Sequence, residues 1–438
     1  MSGERRVRRP PPRPSPVHGS VHGGGSKSRA GLNSPRHPVY ACSMPFRHLT
    51  VVDIATLAAA PQIAAFFGDF GARVIKVEHP RGDSLRRLVD QRGAALQWKI
   101  VNRNKQCITL DLAKPRGREL LEKILTRSDL LVCALNGERL ARWGLDTQQL
   151  AQRHPQLVVV NLTAHGTTGP WADRPGSGTL AEAMSGLAAL TGPAEAPPTL
   201  SPVGLGDYMG VLQGIIAALL GLYARDARGG GGRGELLDVA MYEPLLSLLA
   251  PRLAAATGDG VEPTRHGNRF PTVAPRNTYR TADGAWVALT AGTDDLVHKM
   301  FHLFGRPELC DDPRFRDNLA RVAHVDALDA IISEWIGARA RDEVVEQFNA
   351  AGVSLAAVDG LLRAAANPQF RARGSLVEVD DPGAGRITTA APSPARTREP
   401  GTVRHLGREL GADNRAIYVD WLGLTERELA ALAQEGII

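Results

Sequence analysis

Along the first 240 residues, short apolar runs rich in Val, Ile and Leu alternate with longer stretches whose apolar residues recur at helical spacing. Runs at 49–54, 73–77, 106–112, 129–133 and 157–161 have the length and β-branched character of strands buried on both faces. Stretches at 61–71 and 115–126 predict helices. Each opens on a proline, Pro61 or Pro115, whose missing N–H is no loss in a first turn. Strands separated in this way by helices predict βαβ units on a parallel sheet, an α/β fold. Gly/Pro breaks at 166–178 and 192–206 lead into a long apolar helix at 208–225, and a strand follows at 236–239. The glycine run 228–234 lacks the Lys-Ser/Thr of a phosphate loop and leads into a strand, not a helix, and reads as a flexible connector.

Near residue 265 the pattern changes. Residues 277–289 are two strand-like halves around Asp283-Gly284, a strong hairpin signal. Helical segments continue through residue 350, and the C-terminus returns to turns and a last helix ending at Ile438. No internal repeat is evident. The expected organisation is a tail (1–43), the first part of a large domain (44–240) and a linker (241–264). A small α+β domain (265–355) follows, then a linker with a return to the large domain (356–438).

Charge refines this picture. Arg5, Arg6, Arg8, Arg9, Arg13, Lys27, Arg29 and Arg36 against Glu4 give the tail +7, while the whole chain is +6. The body is therefore close to neutral, which removes the main support for nucleic-acid binding. Residues 1–43 hold little to bury and are expected to be disordered. Met44 directly precedes the first strand and is expected to be the natural start. The four cysteines, Cys42, Cys107, Cys133 and Cys310, form no metal-ligand spacing and fit a reducing compartment. The longest apolar run, 211–224, is too short to span a bilayer, and no secretory signal is present. The expectation is a cytoplasmic protein with neither a membrane nor a nucleic-acid partner and no bound metal.

Asp207 follows Gly206 and opens the long helix, where peptide dipoles favour a carboxylate. By position alone it is more readily an N-cap, the commonest job of an aspartate before a helix, than a reactive group.

Further pieces occur in a telling order. They include 68–78 (GDFGARVIKVE), Gly82-Asp83 with Arg86, 102–105 (NRNK), 142–145 (RWGL), 183–186 (AMSG) and Gly206-Asp207. After these come 238–241 (DVAM), 265–271 (RHGNRFP), 312–315 (DPRF), 351–353 (AGV), 367–369 (NPQ) and 435–438 (EGII). Over residues 46–438 the chain resembles the class III CoA-transferase (CaiB/BaiF) family. The resemblance implies a Rossmann-like large domain, a smaller domain and an interlocked homodimer. It implies that Asp207 is a nucleophile which attacks an acyl-CoA thioester, forms a mixed anhydride and passes CoA to an acceptor acid through an aspartyl-CoA thioester. Coenzyme A is then substrate and product, with no resident cofactor.

The resemblance also places Leu57, Ala58, Ala59, His79, Asn102, Arg103, Asn104, Lys105, Leu135 and Arg142 against CoA, and Ser177 and Gly178 in the substrate pocket. The chain departs from the family at several points. Ala60 replaces a glycine, Cys133-Ala134-Leu135 stands for Glu-Asn-Phe, and Glu235 replaces a glutamine. Gly176-Ser177-Gly178 replaces Gly-(Tyr/Phe/His)-Asp, which predicts a roomier acyl pocket.

A racemase on the same fold would need a histidine at 177, where Ser177 is too weak a base; His165 is the alternative. A dehydrogenase would need a glycine fingerprint after the first strand, and 56–60 has none. A silent CoA-ester binder is the remaining rival.

Overall fold

The computed structural model describes residues 44–91, 93–227 and 232–438. The 1–43 tail and residues 228–231 of the expected connector lie outside the described residues.

Six strands form one sheet: β1 (Thr50–Asp53), β2 (Arg73–Glu78), β3 (Gln106–Thr109), β4 (Leu130–Cys133), β5 (Val158–Thr163) and β6 (Leu236–Ala240). Their spatial order is β3-β2-β1-β4-β5-β6, with every pairing parallel. The chain starts in the middle, winds outward, then returns to β1's other side. In register, Val52 sits between Ile75 and Leu131. The crevice beyond the carboxyl ends at such a reversal is where open α/β sheets hold ligands.

Successive strand residues face opposite layers. Val51, Leu130, Val132, Val158 and Val160 join one core with Ile63, Phe67, Val211, Ala218 and Leu222. Val52, Ile75, Leu131 and Val159 join the other with Leu120, Leu121 and Ile124, and with Ile417, Tyr418, Leu432 and Ile437 from the C-terminus. Burial on both faces is why the strands read as continuous apolar runs.

The long helix is Leu205–Ala227, so it begins three residues earlier than the apolar pattern suggests. Its buried side includes Gly206, Gly210, Gly214, Ala217, Ala218 and Gly221. A Cβ on Gly214 would stand 2.3 Å from Ile63 Cδ1, so the small residues are what lets this helix lie on its neighbours. Its other side exposes Tyr208, Leu212, Ile216, Leu220 and Tyr223. With 23 residues it is long and apolar enough to cross a bilayer, which the shorter sequence run did not indicate.

The helix Glu243–Asp259 follows β6. The expected hairpin is present as β7 (Arg276–Arg280) and β8 (Trp286–Thr290), with Gly284 at φ +79° in the turn. A three-residue strand, β9 (Leu355–Ala357), extends it; a strand so short shows no alternation to detect. These strands share a core with the flanking helices, built on Tyr279, Val287, Met300, Phe301, Ile332 and Phe348. A second hairpin, β10 (Leu376–Asp381) and β11 (Gly385–Ala390), was also unforeseen.

The last helix is Glu426–Gln434, ending four residues before Ile438. The C-terminal segment closes the free edge of β3. Asp413 accepts the Cys107 N–H at 2.7 Å, Asn414 accepts the Thr109 N–H at 2.9 Å, and the Ile437 carbonyl accepts the Asp111 N–H at 2.7 Å.

Candidate active site

Two cavities open beyond the carboxyl ends of the strands. One, of about 570 Å³, is lined by Thr56, His79, Asp83, Asp111, Arg118, Arg139, Arg142 and Trp143, among others. The other, of about 670 Å³, is lined by 56–60 from the turn after β1, Ala134 and Asn136 after β4, and Thr163–His165 at the end of β5. Arg174, Ser177 and Asp207 complete it. Thr56 and Arg139 line both, so this cavity, cationic at Arg118, Arg139 and Arg142 but also holding Glu78, Asp83 and Asp111, adjoins the one that holds Asp207.

Asp207 lies in the first turn of the Leu205–Ala227 helix and is half-buried. Its Oδ1 accepts the Gly178 N–H at 3.2 Å, and Oδ2 accepts no bond from the described residues. Burial, then the nearby Glu182 carboxylate, pushes its pKa above the ordinary carboxylate value, while the Gly178 N–H opposes them. The expected preference for the ionised form is present through the Gly178 N–H, but desolvation outweighs it, with Glu182 adding a smaller push.

The two glycines beside it explain the local packing. A Cβ on Gly178 would stand 2.1 Å from Asp207 N, and one on Gly206 would stand 2.2 Å from Gly178 O. Gly178 does not open the cavity as its small size suggested. It lets the ends of two helices touch. Ser177, by contrast, is exposed and lines the cavity.

Other expected residues fall into two groups. Leu57, Ala58 and Ala59 line the Asp207 cavity. Leu57 holds a left-handed φ of +65°, unusual for a branched side chain, and its N–H donates to Asp83 Oδ2 at 3.0 Å. His79 and Arg142 line the cationic cavity. The His79 Nδ1 accepts the Arg81 N–H at 3.0 Å, and Arg142 lies 3.8 Å from the equally exposed Glu138.

Asn102, Arg103, Asn104 and Lys105 line neither cavity. Lys105 is fully buried and donates to Asp53 at 2.8 Å, the Pro61 carbonyl at 2.7 Å and Asn102 Oδ1 at 2.9 Å. All three ammonium donors are thus engaged, and none is left for a phosphate. Arg103 pairs with Asp69 at 2.6 Å, and Asn104 bridges Asp69 and the Thr402 carbonyl. Leu135 is also buried, its N–H and carbonyl both held by Asn161 at 2.8 Å, while its neighbours Ala134 and Asn136 reach the cavity. Burial pushes Lys105 down to about 8, with Lys76 adding to it and Asp53 opposing. Burial works to raise Asp53, but Lys105 and Lys76 outweigh it and hold the carboxylate low.

His165 shares the cavity with Asp207. Its ring meets Trp171 edge-on at 5.8 Å, Nε2 lies 3.4 Å from the Pro175 carbonyl, and Nδ1 is buried without a partner among the described residues. Arg174 lies over the same Trp171 ring at 4.6 Å. Among the described residues no cluster of His, Cys, Asp and Glu could hold a metal.

The sequence reading missed Arg118, Arg139, Glu182 and Ser201. The signal for Glu182 was present: it is an acid inside the apolar stretch Leu180-Ala-Glu-Ala-Met184. The arginines carried no such signal, because only the fold turns them toward one crevice.

A parallel sheet of this order, with a carboxylate and several arginines near its reversal point, defines an α/β protein with a candidate ligand site there. The family model described as CoA-transferase family III matches residues 47–414, and the chain belongs to that family. It is 34% identical over 397 residues to a succinyl-CoA–D-citramalate CoA-transferase of Chloroflexus aurantiacus, covering 90% of this chain and 98% of the relative. It is 33% identical to the succinyl-CoA–L-malate CoA-transferase beta subunit of the same organism, again over 90% and 98%. Among solved structures, a CAIB/BAIF family protein from Brucella suis matches with a TM-score of 0.75 and 30% identity, covering 86% of this chain and 100% of that one.

Proposed function

We propose that the chain moves coenzyme A from an acyl-CoA thioester to an acceptor carboxylic acid through covalent intermediates on Asp207. One observation carries this reading. The Asp207 carboxylate, with one oxygen held by a backbone N–H and the other unbonded by the described residues, lines a cavity that adjoins a cationic one. A CoA molecule with its phosphates near Arg139, Arg142 and His79 would present its thioester past Leu57–Ala59 toward Asp207.

In the first step an Asp207 oxygen bonds to the thioester carbon, the C–S bond breaks, and CoA leaves as thiolate with the electron pair. The thiolate then attacks the aspartyl carbonyl of the anhydride, releasing the donor acid and leaving an aspartyl-CoA thioester. The acceptor carboxylate attacks that thioester, again forming an anhydride and thiolate. Attack of the thiolate on the acceptor's acyl carbon yields the new acyl-CoA and restores Asp207.

The acceptor is proposed to be a short dicarboxylic acid. The two Chloroflexus relatives are named for succinyl-CoA with citramalate or malate. The Asp207 cavity here contains Arg139 and Arg174, neither paired with a carboxylate among the described residues. A guanidinium suits a second carboxylate. The proposal extends to a large domain (44–240 with 356–438), a small domain (265–355) and a homodimer that covers the exposed Tyr208, Leu212, Ile216, Leu220 and Tyr223. A reducing, cytoplasmic setting fits the free Cys107, Cys133 and Cys310.

The test is intact-mass analysis after exposure to succinyl-CoA. The expected product is an adduct on the Asp207 peptide that hydroxylamine removes; no adduct with any acyl-CoA of a broad panel would end this reading. Epimerisation is the alternative that His165 raises, yet one of its nitrogens is buried and the other lies beside a carbonyl oxygen. Rapid deuterium uptake at the α-carbon of a 2-methylacyl-CoA would reverse that preference.

A further inference from the structure

No step above uses Glu182, although it is only 3% exposed and no cation pairs with it among the described residues. It sits on the short helix Gly178–Met184, one turn beyond Gly178. Its Oε1 accepts the Gly206 N–H at 3.1 Å. Its Oε2 accepts the Ser201 hydroxyl at 2.6 Å and the Ser201 N–H at 3.3 Å. These bonds pin both ends of the 201–206 segment, which delivers Asp207 to the cavity. The start of the same helix supplies the Gly178 N–H to the Asp207 carboxylate. One turn of helix therefore fixes the backbone leading to Asp207 as well as its side chain.

The two shorter bonds do not by themselves require an acid at 182. A glutamine could accept from Gly206 and donate to the Ser201 Oγ, whose hydroxyl would then bond the Val203 carbonyl that already lies 2.8 Å away; the long 3.3 Å bond from the Ser201 N–H would be lost. What the acid adds is charge, placed behind another acid.

We propose that Glu182 is a positioning residue for Asp207 whose negative charge also favours acylation. The second half of this statement rests on the transferase reading. As the Asp207 oxygen bonds to the acyl carbon and the C–S bond breaks, negative charge passes from Asp207 to the departing sulfur. The like-charge repulsion that burdens the free enzyme is relieved in that step, so Glu182 destabilises the starting state more than the state that follows. The upward push on Asp207 agrees: burial comes first and Glu182 adds to it. The other charged or titratable groups near Asp207 are Arg139, His165, Asp173 and Arg174 around the cavity and Tyr208 on its own helix.

Two variants separate charge from hydrogen bonding. E182Q keeps the bond from Gly206 and a bond to the Ser201 hydroxyl oxygen, gives up the 3.3 Å bond from the Ser201 N–H, and removes the charge. It is expected to remain folded, to shift the Asp207 titration downward, and to lower kcat by about tenfold. E182A leaves the Gly206 and Ser201 N–H groups without their acceptor and is expected to lose on the order of a hundredfold in kcat, with KM for acyl-CoA nearly unchanged.

The titration is read by NMR on protein labelled with carboxyl-¹³C aspartate, the Asp207 signal being identified by its loss in D207N. An unmoved midpoint in E182Q, or native kcat in E182A, overturns the proposal. Because the midpoint is measured without acyl-CoA, the two readings fail separately. Normal adduct formation with an unmoved midpoint defeats the role of Glu182 alone. A shifted midpoint with no adduct in the parent defeats the transferase reading and leaves the coupling of the two carboxylates standing.

Discussion

Asp53 and Asp207 are both carboxylates near the carboxyl ends of the central strands or the helix they receive, and both are withdrawn from water, yet they are driven in opposite directions. Asp53, at the end of β1, is fully buried but meets Lys105 at 2.8 Å and Lys76 at 3.4 Å, and its pKa is lowered. Asp207 is only half-buried, has a peptide N–H and another acid for company, and its pKa is raised. The partner, more than the depth, decides which carboxylate is held ionised and which is pushed toward its protonated form. The interior acid is neutralised where no substrate reaches; the cavity acid is left uncompensated where one can.

Removing each acid's special feature gives a graded set of outcomes. The largest is D207N, expected to lower CoA transfer by on the order of 10³-fold or more, measured by acyl-CoA exchange between acids. Residual exchange near the parent rate would place the nucleophile elsewhere. Next is K105M, which leaves Asp53 with only Lys76. It is expected to cost about 3 kcal/mol in urea unfolding, the low end for a broken buried pair, with the specific activity of the folded fraction unchanged. If K105M instead raised KM for acyl-CoA without affecting stability, Lys105 would be a phosphate ligand and the contrast would collapse.

R139Q and R142Q should each raise KM for acyl-CoA by about tenfold or less, and the penalty should shrink in high salt because both side chains are exposed. The smallest effect is on stability in D207N. A carboxyl group whose folded pKa is raised favours the fold at low pH and loses that contribution as pH rises through the folded value. At neutral pH the variant should therefore melt slightly higher than the parent, by a few °C at most, and the gap should close in acid.

The pattern of apolar runs was enough to foresee the parallel sheet, because strands buried on both faces leave a signal in composition. It was enough to find the hairpin of β7 and β8, because Asp283-Gly284 marks its turn. β9 was missed because three residues carry no period. The place of Asp207 at the mouth of a long apolar helix was legible, but its proposed role came from the family resemblance, since position alone equally describes a helix cap. Lys105 and Arg142 looked alike as charges in a chain, and only the fold separates them: one is enclosed with three acceptors, the other lies at the rim of a cavity. Gly178 was misjudged for a similar reason. Its small size was read as empty space, whereas the volume is occupied by Asp207 itself.

The closure of β3 by residues 413–437 bears on how the protein is made. Until the final stretch emerges from the ribosome, the outermost strand of the main sheet keeps unpaired amides at Cys107, Thr109 and Asp111, and the apolar layer beneath lacks Ile417, Tyr418, Leu432 and Ile437. A nascent or prematurely terminated chain without residues 413–437 would thus display a sticky ribbon that chaperones and proteases can recognise, and those residues must be made before the sheet is sealed.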